Sequence, residues 1–183
     1  MTANETLKAL RRIVGPWFKA NGFRVVKGYL TYQKRVNGRY FNVRLQCNPH
    51  GWEKHKGSSF TVSVDFSDSA ELDLVPLRRL TQYLTFEQLE FIRARQNRIL
   101  ASIPQPPADY IKSMVVGFEK VFRDPKPYIE IYLSDWKPIT QPYKGSDDIW
   151  FRYFSEDDVR AWAIVLHRHI QAIHAQNVAK SAA

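Results

Sequence analysis

Five histidines, one cysteine and a few neighbouring carboxylates are the residues of this chain with the chemistry for metal binding or catalysis. His50 and His55 flank Glu53 in one short stretch, and His167, His169 and His174 gather towards the C-terminus. A zinc site takes three or four ligands of fitting type and spacing. His167 and His174 share a helical face, yet Gln171 lies between them and no Cys or carboxylate completes the set. The pattern reads as surface histidines with no metal site. Cys47 falls on the inward side of a strand pattern, where a free thiol packs as a small hydrophobe; a reactive thiolate needs an exposed, electropositive setting. Asp147, Asp148, Asp157 and Asp158 suggest an acid/base pair or a cation site, but helix capping and loop solvation account for them more simply. No Gly-x-Ser-x-Gly elbow, phosphate-cradling glycine loop or dinucleotide fingerprint is present. The residues therefore assign no catalytic group and no cofactor, although groups from distant segments can converge in a fold.

Binding chemistry is better represented. Tyr40, Asn42, Arg44 and Gln46 alternate along one strand pattern, and Thr61, Ser63 and Asp65 do so along another. With Tyr128, Glu130 and Tyr132 on a third, they predict a polar, aromatic sheet face of the kind that serves protein hot spots and base stacking. The alternative is a face that is solvated or covered by later helices. The stretch His50-Gly-Trp-Glu-Lys-His-Lys-Gly57 offers Trp52, Lys54 and His55 as a mobile contact loop. Its alternative is a Trp52 that packs back onto the domain. Trp136 with Lys137 and Tyr143 with Lys144 repeat the pattern more weakly.

The elements that must position these residues follow from periodicity. Residues 4–21 carry an apolar stripe through Leu7, Leu10, Val14, Trp17 and Phe18, which predicts an amphipathic helix capped by Asn4 and stopped at Gly22, with a kink at Gly15-Pro16 or a restart with Pro16 near a first turn. Tyr29–Val36 and Arg39–Cys47 flank Asn37-Gly38, a strong hairpin signal. Phe60–Phe66 and Tyr128–Leu133 alternate in the same way, and Phe23–Val26 and Ile149–Tyr153 read as short edge strands. Thr85 and Gln88 form a capping box, with Leu84 and Leu89 as its staple, ahead of a helix that ends before Pro104. Ala108–Phe122 is a third helix; Asp124-Pro-Lys-Pro and Lys137–Asp148 are loops. Ser155 caps the last helix, whose stripe is Val159, Trp162, Leu166, Ile170 and Ile173.

Together these predict an α+β domain over residues 1–176: an antiparallel sheet of four to six strands packed on one face by N-terminal, middle and C-terminal helices. Residues 67–127 read as a helical insertion, and 177–183 as a flexible tail. The length of 183 residues suits one domain. A hydrophobic share of 44% excludes a disordered chain, and the longest apolar run, Ala161–Leu166, is far short of a membrane span. A single cysteine forms no internal disulfide, so the expected home is the cytoplasm. The net charge of +9 is concentrated: residues 1–60 hold twelve Lys and Arg against Glu5 and Glu53, a net of +10. Such a segment attracts phosphate backbones or acidic protein faces. Acidic clusters at Asp65–Asp73 and Asp147–Asp158 can fold back and neutralise part of it.

The order of elements also resembles a known family. The opening helix runs into Asn21-Gly22-Phe23, a strand ends at Gln46, Phe60-Thr-Val-Ser-Val follows, and Asp148-Ile-Trp-Phe-Arg-Tyr precedes Ser155 and the last helix. These phrases resemble the bacterial family filed as domain of unknown function 4304. Residues 67–127 look longer and more helical than in that family, and Phe151 stands where a second Trp is common. The resemblance implies a single α+β domain with no established activity. The expected function is a non-catalytic protein-binding module of an immunity-like or regulatory kind. The alternative is a nucleic-acid-binding protein using Lys8, Arg11, Arg12, Lys34, Arg35, Arg39, Arg44, Lys54 and Lys56.

Overall fold

Alternating strands need a partner for their apolar side, and the two terminal helices provide it. The computed structural model describes residues 1–26, 30–72 and 78–179. A helix α1 (Ala3–Ala20) leads into strands β1 (Arg24–Val26), β2 (Thr31–Val36), β3 (Arg39–Cys47) and β4 (Ser58–Ser67). A 3-10 turn (Leu80–Tyr83) precedes helices α2 (Phe86–Ser102), α3 (Ala108–Val121) and α4 (Lys126–Ser134). Strand β5 (Phe151–Tyr153) and helix α5 (Glu156–Ala179) close the chain. The five strands form one antiparallel sheet in sequence order. This is an α+β fold.

Asn37 and Gly38 both take positive φ, as the two-residue hairpin between β2 and β3 requires. Register then pairs Val43 with Val64, Leu45 with Val62 and Phe41 with Phe66, so one sheet face is continuously apolar. Leu10, Val14 and Phe18 of α1 and Val159, Trp162, Leu166 and Ile170 of α5 are buried in the same core. Helix α2 adds Leu89 and Ile92 and sits against β5, where Gln96 Oε1 accepts the Arg152 amide at 2.9 Å. That bond satisfies a strand edge that would otherwise be open.

Four local expectations are corrected. Thr2, not Asn4, caps α1, in a capping box with Glu5. The helix runs unbroken through Pro16, with no restart. Tyr128–Leu133 is not a strand but most of α4, and Asp124-Pro-Lys-Pro is not wholly a loop. Pro127 lies at the start of α4, where its fixed φ suits a first helical turn. Six alternating residues also satisfy a helical i, i+4 pattern, here Tyr128 with Tyr132 and Ile129 with Leu133. At the C-terminus α5 continues to Ala179, past the point where fraying was expected. Tyr29, Asp73, part of the 67–127 insertion and residues 180–183 of the expected tail lie outside the described residues.

Candidate functional site

The connection between β3 and β4 is built rather than loose. Asn48 N–H donates to Ser59 O, and Gly51 N–H donates to Asn48 O. Glu53 and Gly57 exchange backbone bonds of 2.9 and 2.7 Å, pinching residues 54–56 into a small tongue. Gly51 and Gly57 have φ of +76° and +71°. At Gly57 a Cβ would stand 2.3 Å from Tyr153 O, so the close approach of this loop to β5 demands glycine.

The tongue meets α3 and α4 through a polar latch. Tyr110 Oη and Tyr132 Oη donate to Glu53 Oε2 at 3.0 and 2.9 Å, and the two hydroxyl oxygens are 2.9 Å apart. Burial, reinforced by the neighbouring Tyr110 hydroxyl and the Glu53 carboxylate, pushes the Tyr132 phenol well above its ordinary range. Burial raises Tyr110 as well. Both phenols therefore stay protonated and act as donors. Trp136 Nε1–H donates to His55 O at 2.6 Å, and the His55 ring packs on Tyr110 with centroids 4.9 Å apart.

Beside the latch lies a charge cluster. Asp135 accepts from both Lys56 and Arg152, and Arg152 Nη1 also donates to the Asp135 carbonyl at 3.0 Å. Lys56 Nζ stands 4.2 Å from the centre of the Tyr132 ring. Glu53, Lys56, Asp135, Arg152, Tyr132 and Phe118 line a cavity of about 430 Å³, together with Asn48, His50, Ser58 and Ser59. The volume is within the usual range for small-molecule pockets.

The sequence-proposed residues divide into three groups. Tyr132, Trp52 and His55 belong to or border this region, though Tyr132 arrives on a helix and not on the sheet. Trp52 packs back: its ring lies 5.5 Å from Phe154, and Nε1–H donates to Phe154 O at 3.1 Å. Lys54 is exposed on the tongue, and Tyr128 is exposed on α4, stacked on Phe122 at 3.9 Å. Tyr40, Asn42, Arg44 and Gln46 do share one face of β3, and Asn42, Arg44 and Gln46 pair with Asp65, Ser63 and Thr61. That face is mostly closed over, however. Asn42, Thr61, Ser63 and Asp65 are buried, Tyr40 and Arg44 are half-buried, and Gln46 alone of the four on β3 is exposed. Gln33 and Asn42 bond to each other, Gln33 reaches Ala70 O, and Asn42 reaches Ser67 Oγ. Arg79 donates to Ser63, and Thr61 donates to Ile149 O. Period-two alternation located the face but could not say that Ala70 and Arg79 would reach over it.

Sequence reasoning missed Tyr110, Asp135 and Arg152 as members of one site, because they come from α3, the end of α4 and β5. The one local signal was the tongue itself, a Trp, His and two Lys around Glu53 between glycines.

The remaining chemistry is structural. Burial pushes the Cys47 thiol up to about 11, leaving it protonated and unreactive near neutral pH. His174 is not a surface histidine but a core residue against Trp17, Phe23 and Phe41; His167 is half-buried on Trp17. Among the described residues, no three His, Cys, Asp or Glu side chains group closely enough to hold a metal ion. Part of the basic third is engaged within the fold: Arg12 pairs with Glu156, Arg39 with Asp68 and Lys56 with Asp135. No described helix is long and apolar enough to cross a membrane.

Helices α3 and α4 differ from α1, α2 and α5 in how little of their surface the fold covers. Neither helix has a buried residue. Val121 is 75% exposed and Ile131 68%, with Val116 and Tyr128 also open. Lys112 and Lys120 stand four residues to either side of Val116 on α3. Comparison with known proteins finds no matching family model, no matching curated protein and no matching solved structure.

Proposed function

We propose that this chain is a cytoplasmic protein-binding module that docks its partner on the outer face of α3 and α4. The carrying observation is that these two helices hold no buried residue and present Val116, Val121, Tyr128 and Ile131 to solvent. Exposed large apolar side chains on two helices that touch each other are a feature of interaction surfaces. The occupant is an acidic protein surface studded with apolar side chains. The α3–α4 segment is itself neutral, with Lys112, Lys120, Arg123 and Lys126 against Asp109, Glu119, Asp124 and Glu130, and the positive charge that would steer an acidic partner is carried by residues 1–60. Charge of that sign speeds encounter with an acidic partner, while the apolar anchors hold it. The engagement of Arg12, Arg39 and Lys56 in ion pairs favours this reading over nucleic-acid binding. The resemblance to the domain of unknown function 4304 family supports the one-domain reading and supplies no activity of its own.

The test is a photo-crosslinking residue placed singly at Val121, Ile131 and, as control, the exposed Val25 of β1. A partner captured from the first two positions is purified and titrated against the wild type, Val121→Glu and Ile131→Asp. Support requires a loss of tenfold or more in both variants, consistent with truncation of interface anchors, and weakening with salt. Equal affinity in the variants, or capture from Val25 alone, overturns the proposal.

A further inference from the structure

We propose that the cavity beneath α4 binds a small zwitterion of amino-acid size, its carboxylate on Lys56 and Arg152 and its ammonium on Glu53. The inference concerns the inner side of α3 and α4 and stands apart from the protein-docking reading of their outer side.

The charges of the cavity are separated in space. At one end two cations share the single carboxylate of Asp135, which leaves one positive charge in excess. At the other end Glu53 meets two phenolic hydroxyls, which donate hydrogen bonds but bring no positive charge. Tyr132 touches both ends, with Glu53 at its hydroxyl and the Lys56 ammonium 4.2 Å from its ring centre, so one small molecule that carries both charges can address them together. The four charged side chains sum to zero, so a phosphate dianion would leave charge uncompensated, whereas a zwitterion matches the wall end for end.

Two further features fit this ligand class. Ser58 lines the cavity at 8% exposure, and its Oγ has no hydrogen-bond partner among the described residues. A buried hydroxyl is costly to leave unpaired, and a carboxylate oxygen held by Lys56 and Arg152 would give it an acceptor. The rings of Phe118 and Tyr132, 5.6 Å apart and edge to face, provide an apolar wall for a side chain. The volume of about 430 Å³ admits any of the twenty amino acids.

The experiment is a thermal-shift screen of the whole chain with each of the twenty amino acids and with inorganic phosphate, at about 10 mM, followed by calorimetry on the best probe. At ten times its Kd a bound amino acid raises the Tm by roughly 3–6 °C in a chain of this size. The amide and the deaminated acid of that probe are expected to bind at least tenfold more weakly. Lys56→Gln weakens the amino acid and its deaminated acid alike. Glu53→Gln weakens the amino acid only, because its amide oxygen still accepts from both tyrosines while the negative charge is gone. The proposal is overturned if none of the twenty shifts the melt, if phosphate binds more tightly than any of them, or if the amide and deaminated acid match the parent. The ligand series on the wild type decides the matter even where a variant fails to fold.

Discussion

Helices α5 and α3 were both legible as helices, yet the fold uses them in opposite ways. Every residue of the α5 stripe, from Val159 to Ile173, is buried against α1 and the sheet. On α3 the corresponding apolar residues Met114, Val115 and Phe118 are only half-covered, and Val116 and Val121 are open. The difference lies in what each helix meets. The α5 stripe faces a continuous apolar sheet, so its burial is part of global stability. Helices α3 and α4 meet a polar latch and a charge cluster, and Tyr110, Tyr132, Asp135 and Trp136 tie them to the body. Amphipathicity announces that a helix has an apolar side; the surface opposite decides whether that side is filled by the chain itself.

Breaking the core should have the largest effect. Trp162 is fully buried, packs on Phe151 at 5.2 Å and donates Nε1–H to Arg152 O at 2.6 Å. Trp162→Ala is expected to cost about 3–5 kcal/mol, read as a fall in the urea midpoint with an unchanged slope. Gly57→Ala comes next. Its positive φ and the 2.3 Å approach of a Cβ to Tyr153 O are both penalised, and a loss of about 2 kcal/mol is expected. A variant as stable as wild type would mean that the tongue is not held against β5 as described. Tyr132→Phe is smaller and local: one of two hydroxyls on Glu53 is lost, at about 1 kcal/mol. Hydrogen exchange should quicken in α3 and α4 while β3, β4 and α5 stay protected. Uniform quickening would show that the latch and the core open as one unit.

The same contrast explains what the sequence could reveal. The sheet was legible because period-two alternation in Phe41–Cys47 and Phe60–Phe66 is also the pattern of burial, and because Asn37-Gly38 fixes one register. The stripes of α2 and α5 were legible for the same reason. Tyr128–Leu133 was misread because six residues fit either period, and the deciding residue, Pro127, stands outside the alternation. The polar face of β3 was found but not its cover, since Ala70 and Arg79 reach it through tertiary contacts that leave no periodic trace. The cavity was hidden more deeply still. Its charged residues come from positions 53, 56, 135 and 152, and only the fold brings the last two to the tongue.

The smallest expected effect separates the two regions by pH. His174 lies in the core among Trp17, Phe23 and Phe41, and burial, with Lys34 nearby, holds its pKa below the ordinary value. Burial lowers His167 and His169 in the same direction. A histidine with a depressed folded pKa binds protons more readily when unfolded, so its neutral form supports the fold fully above about pH 6.5. As pH falls below that value the unfolded chain gains protons first, and stability declines until the folded pKa is passed. Asp65 opposes this at lower pH: burial raises its folded pKa, so protonating it relieves a penalty and favours the fold. The urea midpoint should therefore drop modestly between pH 7 and pH 5.5, and His174→Phe should flatten that drop. Because the histidines sit on α5 and Asp65 on β4, and none on α3 or α4, Tyr132→Phe should leave the pH dependence as it is in the wild type. A steepened pH response in Tyr132→Phe would instead couple the latch to the histidines of the core and merge the two regions into one cooperative unit.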